Sequence, residues 1–260
     1  MTIEEGQEPR QAAGAAPDAT GGATGGATTG GSAVGAARRR TILRRVAKVA
    51  AVIVAIPIVL VPVYLVVPPI STLMVWQTVT LTPVKRTFVP IEDIAPNLVR
   101  AVIMSEDGRF CEHGGVDWDA LFEVIDNEDG PSRGASTIPM QTVKNLFLWP
   151  GRSYLRKALE IPLAVYADLV WPKRRTMEIY LNIAEWGPGI FGAEAAARHY
   201  FDKPAAKLTR REASLLAAAL PNPFVRNPAE PGRGMRRIAG IIERRVQQSG
   251  AYVTCVLGDP

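Results

Sequence analysis

Histidine is nearly absent: 260 residues hold two, His113 and His199. That excludes a histidine-rich metal centre, and both histidines read as structural. Cysteine is as scarce, and Cys111 and Cys255 lie far apart. They make neither a disulfide framework nor a four-ligand metal set, so two free thiols are expected, with Cys111 packing rather than reacting. Strand-like alternation is almost missing, which argues against a β architecture. Charge is missing too from one long stretch, with none between Lys48 and Lys85.

The net charge of +5 raises the question of a nucleic-acid partner, and the placement of the charge answers it. Residues 1–48 carry seven Lys/Arg against four Asp/Glu, so the remainder is nearly neutral and no nucleic acid is expected. Residues 11–37 are almost wholly Gly, Ala and Thr, with little apolar surface to offset the entropy of ordering. A disordered tail is expected over 1–37, followed by a basic segment at 38–48.

Residues 49–67, "VAAVIVAIPIVLVPVYLVV", are apolar apart from Tyr64. As a helix they would reach about 28 Å, close to the thickness of a bilayer's hydrocarbon. Pro57 and Pro62 weaken such a helix without barring it from lipid. A cleaved leader would begin near residue 1, so the run reads as a retained transmembrane anchor. Arg38, Arg39, Arg40, Arg44, Arg45 and Lys48 precede it. The positive-inside bias then leaves the N-terminus in the cytoplasm and residues 68–260 on the opposite face of the inner membrane.

Beyond the Pro-rich exit, apolar residues recur at three- and four-residue spacing, with stops at Gly or Pro. Helices are predicted near 95–106, 118–127, 137–147, 153–171, 173–184, 190–200, 210–219 and 234–249, a mainly α class. Asp117 and Thr209 are N-cap candidates, the latter with Glu212 in capping-box register. Residues 251–260 read as a C-terminal tail.

Three clusters carry chemistry-bearing groups. Glu106 ends the helix "PNLVRAVIMSED" where it meets a Gly-bearing loop, and there its carboxylate can project into a cleft or sit solvated. In "GASTIPMQTVKNLF", Ser136 or Thr137 can cap a helix whose one face holds Gln141, Lys144 and Asn145, a combination able to hold an anion. In "GRSYLRKALE", Arg156 and Glu160 are i, i+4 neighbours with Lys157 beside them, which alone would be a surface ion-pair ladder. Together they offer two separated carboxylates and several cations, as transfer of a phosphate-linked sugar requires.

"EDGRFCEHGG", "GASTIPMQTVKN", "RSYLRKALE", "KRRTMEIYLNIAEWGPGIFGAEAAARHYF" and "RREASLLAAALPNP" resemble, in order and spacing, the motifs of the peptidoglycan glycosyltransferases. The resemblance covers roughly residues 68–250 and implies a lysozyme-like, two-lobed glycosyltransferase domain behind the one transmembrane helix. The chain stops soon after, without room for a transpeptidase domain, and so resembles the monofunctional branch.

The resemblance also implies roles. Glu106 matches the general base that deprotonates the 4-hydroxyl of the lipid II acceptor, and Glu160 the carboxylate assisting the donor side. The donor is the growing lipid-linked glycan, whose pyrophosphate leaves with inversion at the anomeric carbon. Its contacts match Lys144, Arg152, Arg156 and Lys157, with Ser136, Gln141 and Asn145 alongside. No resident metal is implied by the residues, though a divalent cation, Mg or Mn, bridges the pyrophosphate in some family members. The membrane and other cell-wall synthesis proteins are the expected partners.

Met140 stands where the family often has Gln, which puts one polar contact in doubt. "STLMVWQTV" and the stretch Phe147 to Trp149 could be a face dipping into the bilayer or ordinary core. Two rival readings share these features: a lysozyme-like or lytic enzyme acting on existing peptidoglycan, and an inactive membrane-tethered scaffold.

Overall fold

The computed structural model describes residues 30–126, 135–151 and 153–258. The chain divides into two bodies, residues 1–51 and 52–260. Helix α1, Gly30–Val63, runs through both. Its stretch Arg38–Val63 is long and apolar enough to cross a membrane, with Val46, Val49, Ile53, Ile56 and Val59 all exposed. A helix of those 26 residues extends about 39 Å, more than a bilayer core requires. Of the tail expected to be disordered, residues 1–29 lie outside the described residues. The last eight form the first turns of α1, where the "SAVGAARRR" run brings the better helix formers Ala and Arg.

The second body is mainly helical. In chain order it comprises α2 (Thr72–Val79), strand β1 (Lys85–Arg86), α3 (Pro96–Glu106), α4 (Trp118–Asp126), α5 (Ile138–Phe147), α6 (Tyr154–Val170) and α7 (Lys173–Ile183). There follow β2 (Glu185–Gly187), β3 (Ile190–Phe191), α8 (Ala193–Phe201), α9 (Arg210–Ala219), α10 (Arg233–Gln247) and α11 (Thr254–Leu257). Each of the eight helices expected in this region is present, within a few residues. The exception in detail is the segment read as helix from 190. Here β3 lies between β1, parallel to it, and β2, antiparallel to it, so the helix starts only at Ala193. Strands of two or three residues are too short to show a period in sequence.

Two apolar cores give the two lobes. One gathers α3, α9 and α10 around Leu98, Val102, Phe110, Leu216 and Ile242. The other gathers α5, α6 and α7 around Val143, Ala164, Trp171 and Ile179, and takes in Val61 from the last turn of α1. Trp171 Nε1 donates to the Val61 carbonyl at 2.7 Å, and Tyr166 Oη to that of Ile58 at 2.9 Å. The end of the apolar helix is therefore built into the domain. The caps read from sequence form: Asp117 accepts from Ala120 N, and Thr209 with Glu212 closes a full capping box.

Two expectations are corrected. Cys111 and Cys255 are not free thiols but a disulfide with Cα atoms 5.6 Å apart across a separation of 144 residues. The residues set apart as a C-terminal tail are folded through 258, with Val253 and Val256 buried in the first core. Both follow from α11 packing back on α7, a long-range contact that local spacing does not encode.

The loop between α3 and α4 is fixed from several sides. Asp107 accepts from Ile138 N at 2.8 Å and lies 2.9 Å from His113 Nε2. Thr137 Oγ1 donates to the Gly115 carbonyl at 2.6 Å. Gly115 has φ +86°, and an added Cβ would lie 2.5 Å from the Ala164 carbonyl oxygen of α6. Gly115→Ala thus combines backbone strain with a clash against main chain. It is expected to cost at least about 2 kcal/mol, read as a lower midpoint in thermal melting.

Candidate active site

Three helix segments converge on the cleft between the lobes. Glu106 is the last residue of α3, and Gln141 and Lys144 share one face of α5. Gln141 Nε2 donates to Glu106 Oε2 at 3.1 Å, and Tyr180 Oη from α7 donates to Gln141 Oε1 at 3.2 Å. Burial pushes the Glu106 carboxyl above the usual carboxylate range. The Gln141 hydrogen bond and the charges of Lys144 and Arg226 oppose that shift, and the neighbouring Asp107 adds to it.

The predicted ladder on α6 is not a surface feature. Glu160 is 3% exposed, with Arg156 Nη1 3.2 Å and Lys157 Nζ 3.4 Å from its two oxygens. The Arg156 contact is a charge contact rather than an aligned hydrogen bond, since Glu160 Oε1 and Arg156 Nε both remain buried without a hydrogen-bond partner. An orphaned guanidinium N–H in such a place suits an anionic oxygen. Burial pulls the Lys144 and Lys157 ammonium groups below their usual range, and Glu160 counters this in each case.

The hollows join these groups. A cavity of about 180 Å³ is lined by Glu106, Arg109, Asp117, Ser136 and Thr137. A second, of about 150 Å³, has Gln141, Lys144, Asn145, Tyr180 and Pro223 in its wall. Lys144 and Asn145 also line a third, of about 400 Å³, together with Thr72 and Arg156. Lys157 Nζ donates to Ser136 Oγ at 2.8 Å, tying the cationic group to the Glu106 cavity. A fourth hollow of about 520 Å³ is almost wholly apolar, lined by Trp76, Phe147, Leu148, Trp149 and Pro150 beside Thr72. Trp76 is 63% exposed, so this face is not ordinary core.

Glu106, Ser136, Gln141, Lys144, Asn145, Arg156, Lys157 and Glu160 are therefore brought to one connected region. Arg152 lies outside the described residues. Thr137, not Ser136, caps α5, which frees Ser136 for Lys157. Met140 is fully buried in the second core, its sulfur 3.9 Å from Lys157 Nζ. Sequence reasoning missed Tyr180 and Arg226. Tyr180 lies within the quoted "EIYLN" run, and only its burial beside Gln141 marks it out.

The donor set does not fit a resident divalent cation. Among the described residues the one carboxylate on the cationic side, Glu160, already faces Arg156 and Lys157, and no group of three metal-ligating side chains occurs.

Known proteins resemble this chain over most of its length. The transglycosylase family model matches residues 74–246. A biosynthetic peptidoglycan transglycosylase of Agrobacterium fabrum (strain C58) is 59% identical over 84% of this chain and 98% of its own length. Proteins of the same name from Brucella suis biovar 1 and Mesorhizobium japonicum are 61% and 56% identical, over 80% and 82% of this chain and 95% and 93% of their own lengths. With the family match spanning both lobes and every helix of the cleft, the chain belongs to the transglycosylase family.

Proposed function

We propose that this peptidoglycan glycosyltransferase polymerises lipid II, with Glu106 as general base and Lys144, Arg152, Arg156 and Lys157 holding the pyrophosphate that leaves. The supporting observation is the split of the cleft: a half-buried carboxylate at one end, Arg156 and Lys157 flanking the buried Glu160 at the other, and α5 between them.

A sugar hydroxyl is a weak nucleophile until its proton is removed, and a positioned base contributes roughly 10²- to 10⁴-fold. Glu106 takes the proton of the acceptor 4-hydroxyl. The oxygen then forms its bond to the donor's anomeric carbon from the opposite face. The bond from that carbon to the pyrophosphate oxygen breaks, and the electron pair departs with the pyrophosphate. Because a pyrophosphate leaves as an anion, fixed cations stabilise the developing charge and no acid has to protonate the leaving oxygen. Glu160 keeps the Arg156 and Lys157 heads in place. Ser136, Gln141 and Asn145 supply the hydrogen bonds along the cleft. The apolar hollow with Trp76 and Trp149 adjoins the cation-lined one through Thr72 and suits the polyprenyl chain.

Anchoring through α1 would keep the cleft at a membrane surface. The six basic residues before the apolar stretch favour a cytoplasmic N-terminus, leaving the domain on the outer side of the inner membrane. The Cys111–Cys255 disulfide is at home in that oxidising compartment.

Purified full-length protein supplied with lipid II should yield lengthening glycan strands. Shortening of added polymer instead would assign it to the hydrolytic rivals. The rate should fall with acidity through a limb above the ordinary carboxylate range, because burial raises Glu106 and a base works only when ionised. A pH–rate profile of kcat/KM checks this.

A further inference from the structure

We propose that Tyr180 is a positioning residue for the base: its hydroxyl fixes which end of the Gln141 side-chain amide faces Glu106. The inference rests on the assignment of Glu106 as base and adds a residue to that site.

The two ends of a glutamine amide are almost the same shape, and its terminal torsion has roughly two-fold freedom. Only hydrogen bonds decide whether N–H or carbonyl points at a neighbour. Here Gln141 presents Nε2 to the carboxylate and Oε1 to Tyr180, which is 1% exposed on α7. A phenol can donate to that carbonyl; with the hydroxyl gone, the amide is free to turn. Each excursion that brings its oxygen towards Glu106 replaces an attraction by a repulsion, so the hydrogen bond to the carboxylate is weaker on average. Burial and the Glu106 and Asp107 charges hold the Tyr180 hydroxyl well above its usual range, so it remains a donor wherever the enzyme works.

Other charges bear on Glu106: Asp107 next to it in the chain, Lys144 from α5 and Arg226 from beyond α9. Arg109, Asp117, Asp119 and Glu123 line the same cavity. These tune its proton affinity by charge. Tyr180 acts differently, by setting the orientation of a neutral donor.

The test uses full-length protein and lipid II, with parent, Tyr180→Phe, Gln141→Ala and the double variant assayed across pH. The expected Tyr180→Phe result is a kcat about 10-fold lower near the acid limb, with KM little changed. The limb itself should move about one unit towards alkaline pH, so that activity recovers as pH rises. In the Gln141→Ala background, removing the hydroxyl should change nothing further. A parental acid limb, a loss equal at every pH, or the same loss without Gln141 would overturn the proposal. Should Tyr180→Phe melt well below the parent, the assays are run below its melting midpoint, where an unmoved acid limb still overturns the proposal. A parent that fails to polymerise lipid II would sink the assignment of function instead, which separates the two failures.

Discussion

Glu106→Gln is expected to leave lipid II polymerisation roughly 10²- to 10⁴-fold below the parental rate. The substitution keeps the size of the side chain and one oxygen able to accept from Gln141 Nε2, while removing the carboxylate proposed to take the proton. Binding of lipid II should survive. Stability should move the other way. A buried carboxyl whose pKa is raised in the fold favours the folded state only while protonated. That contribution is fully present below the unfolded pKa and is lost as pH rises through the folded value. At neutral pH the ionised Glu106 therefore burdens the fold. Glu106→Gln should melt at or above the parent at pH 7, and the difference should vanish in acid. Thermal melts at the two pH values, beside a polymerisation assay, check both halves. A variant as active as its parent would remove Glu106 from the chemistry.

The second large effect concerns the disulfide. Joining Cys111 to Cys255 closes a loop of 144 residues spanning most of the domain. On the chain-entropy account, losing a link of that length costs about 3–5 kcal/mol. The bond also anchors the loop five residues past Glu106 to α11. Cys111→Ser/Cys255→Ser, or reductant added to the parent, should lower the melting midpoint clearly. Identical midpoints with and without reductant would show that the link is not holding the domain together.

Much of the site was readable because its chemistry is local in sequence. The α5 face carrying Gln141, Lys144 and Asn145 follows from i, i+3, i+4 spacing, and the pairing of Arg156 with Glu160 from i, i+4. Helical periodicity placed the helices that carry these residues. Burial was not local. The Arg156–Glu160 pair reads as a surface ladder until α5 packs against α6 and closes over it. Pairings across the chain were equally hidden: the cysteines 144 residues apart, the short sheet joining β1 to β3, and Tyr180 meeting Gln141 across 39 residues. Tyr180 has the apolar surroundings of a core residue, and its hydroxyl acquires meaning only from its neighbour on α5.

On the proposed mechanism labour is divided within one cleft: one end removes a proton and the other holds the pyrophosphate. Equilibrium binding of a labelled polyprenyl pyrophosphate to full-length parent, Glu106→Gln and Lys144→Ala tests it most directly. The predicted result is parental affinity for Glu106→Gln and affinity weakened about 10-fold or more for Lys144→Ala, the loss of one charge-assisted contact. Equal affinity in all three proteins, or a loss confined to Glu106→Gln, would contradict it.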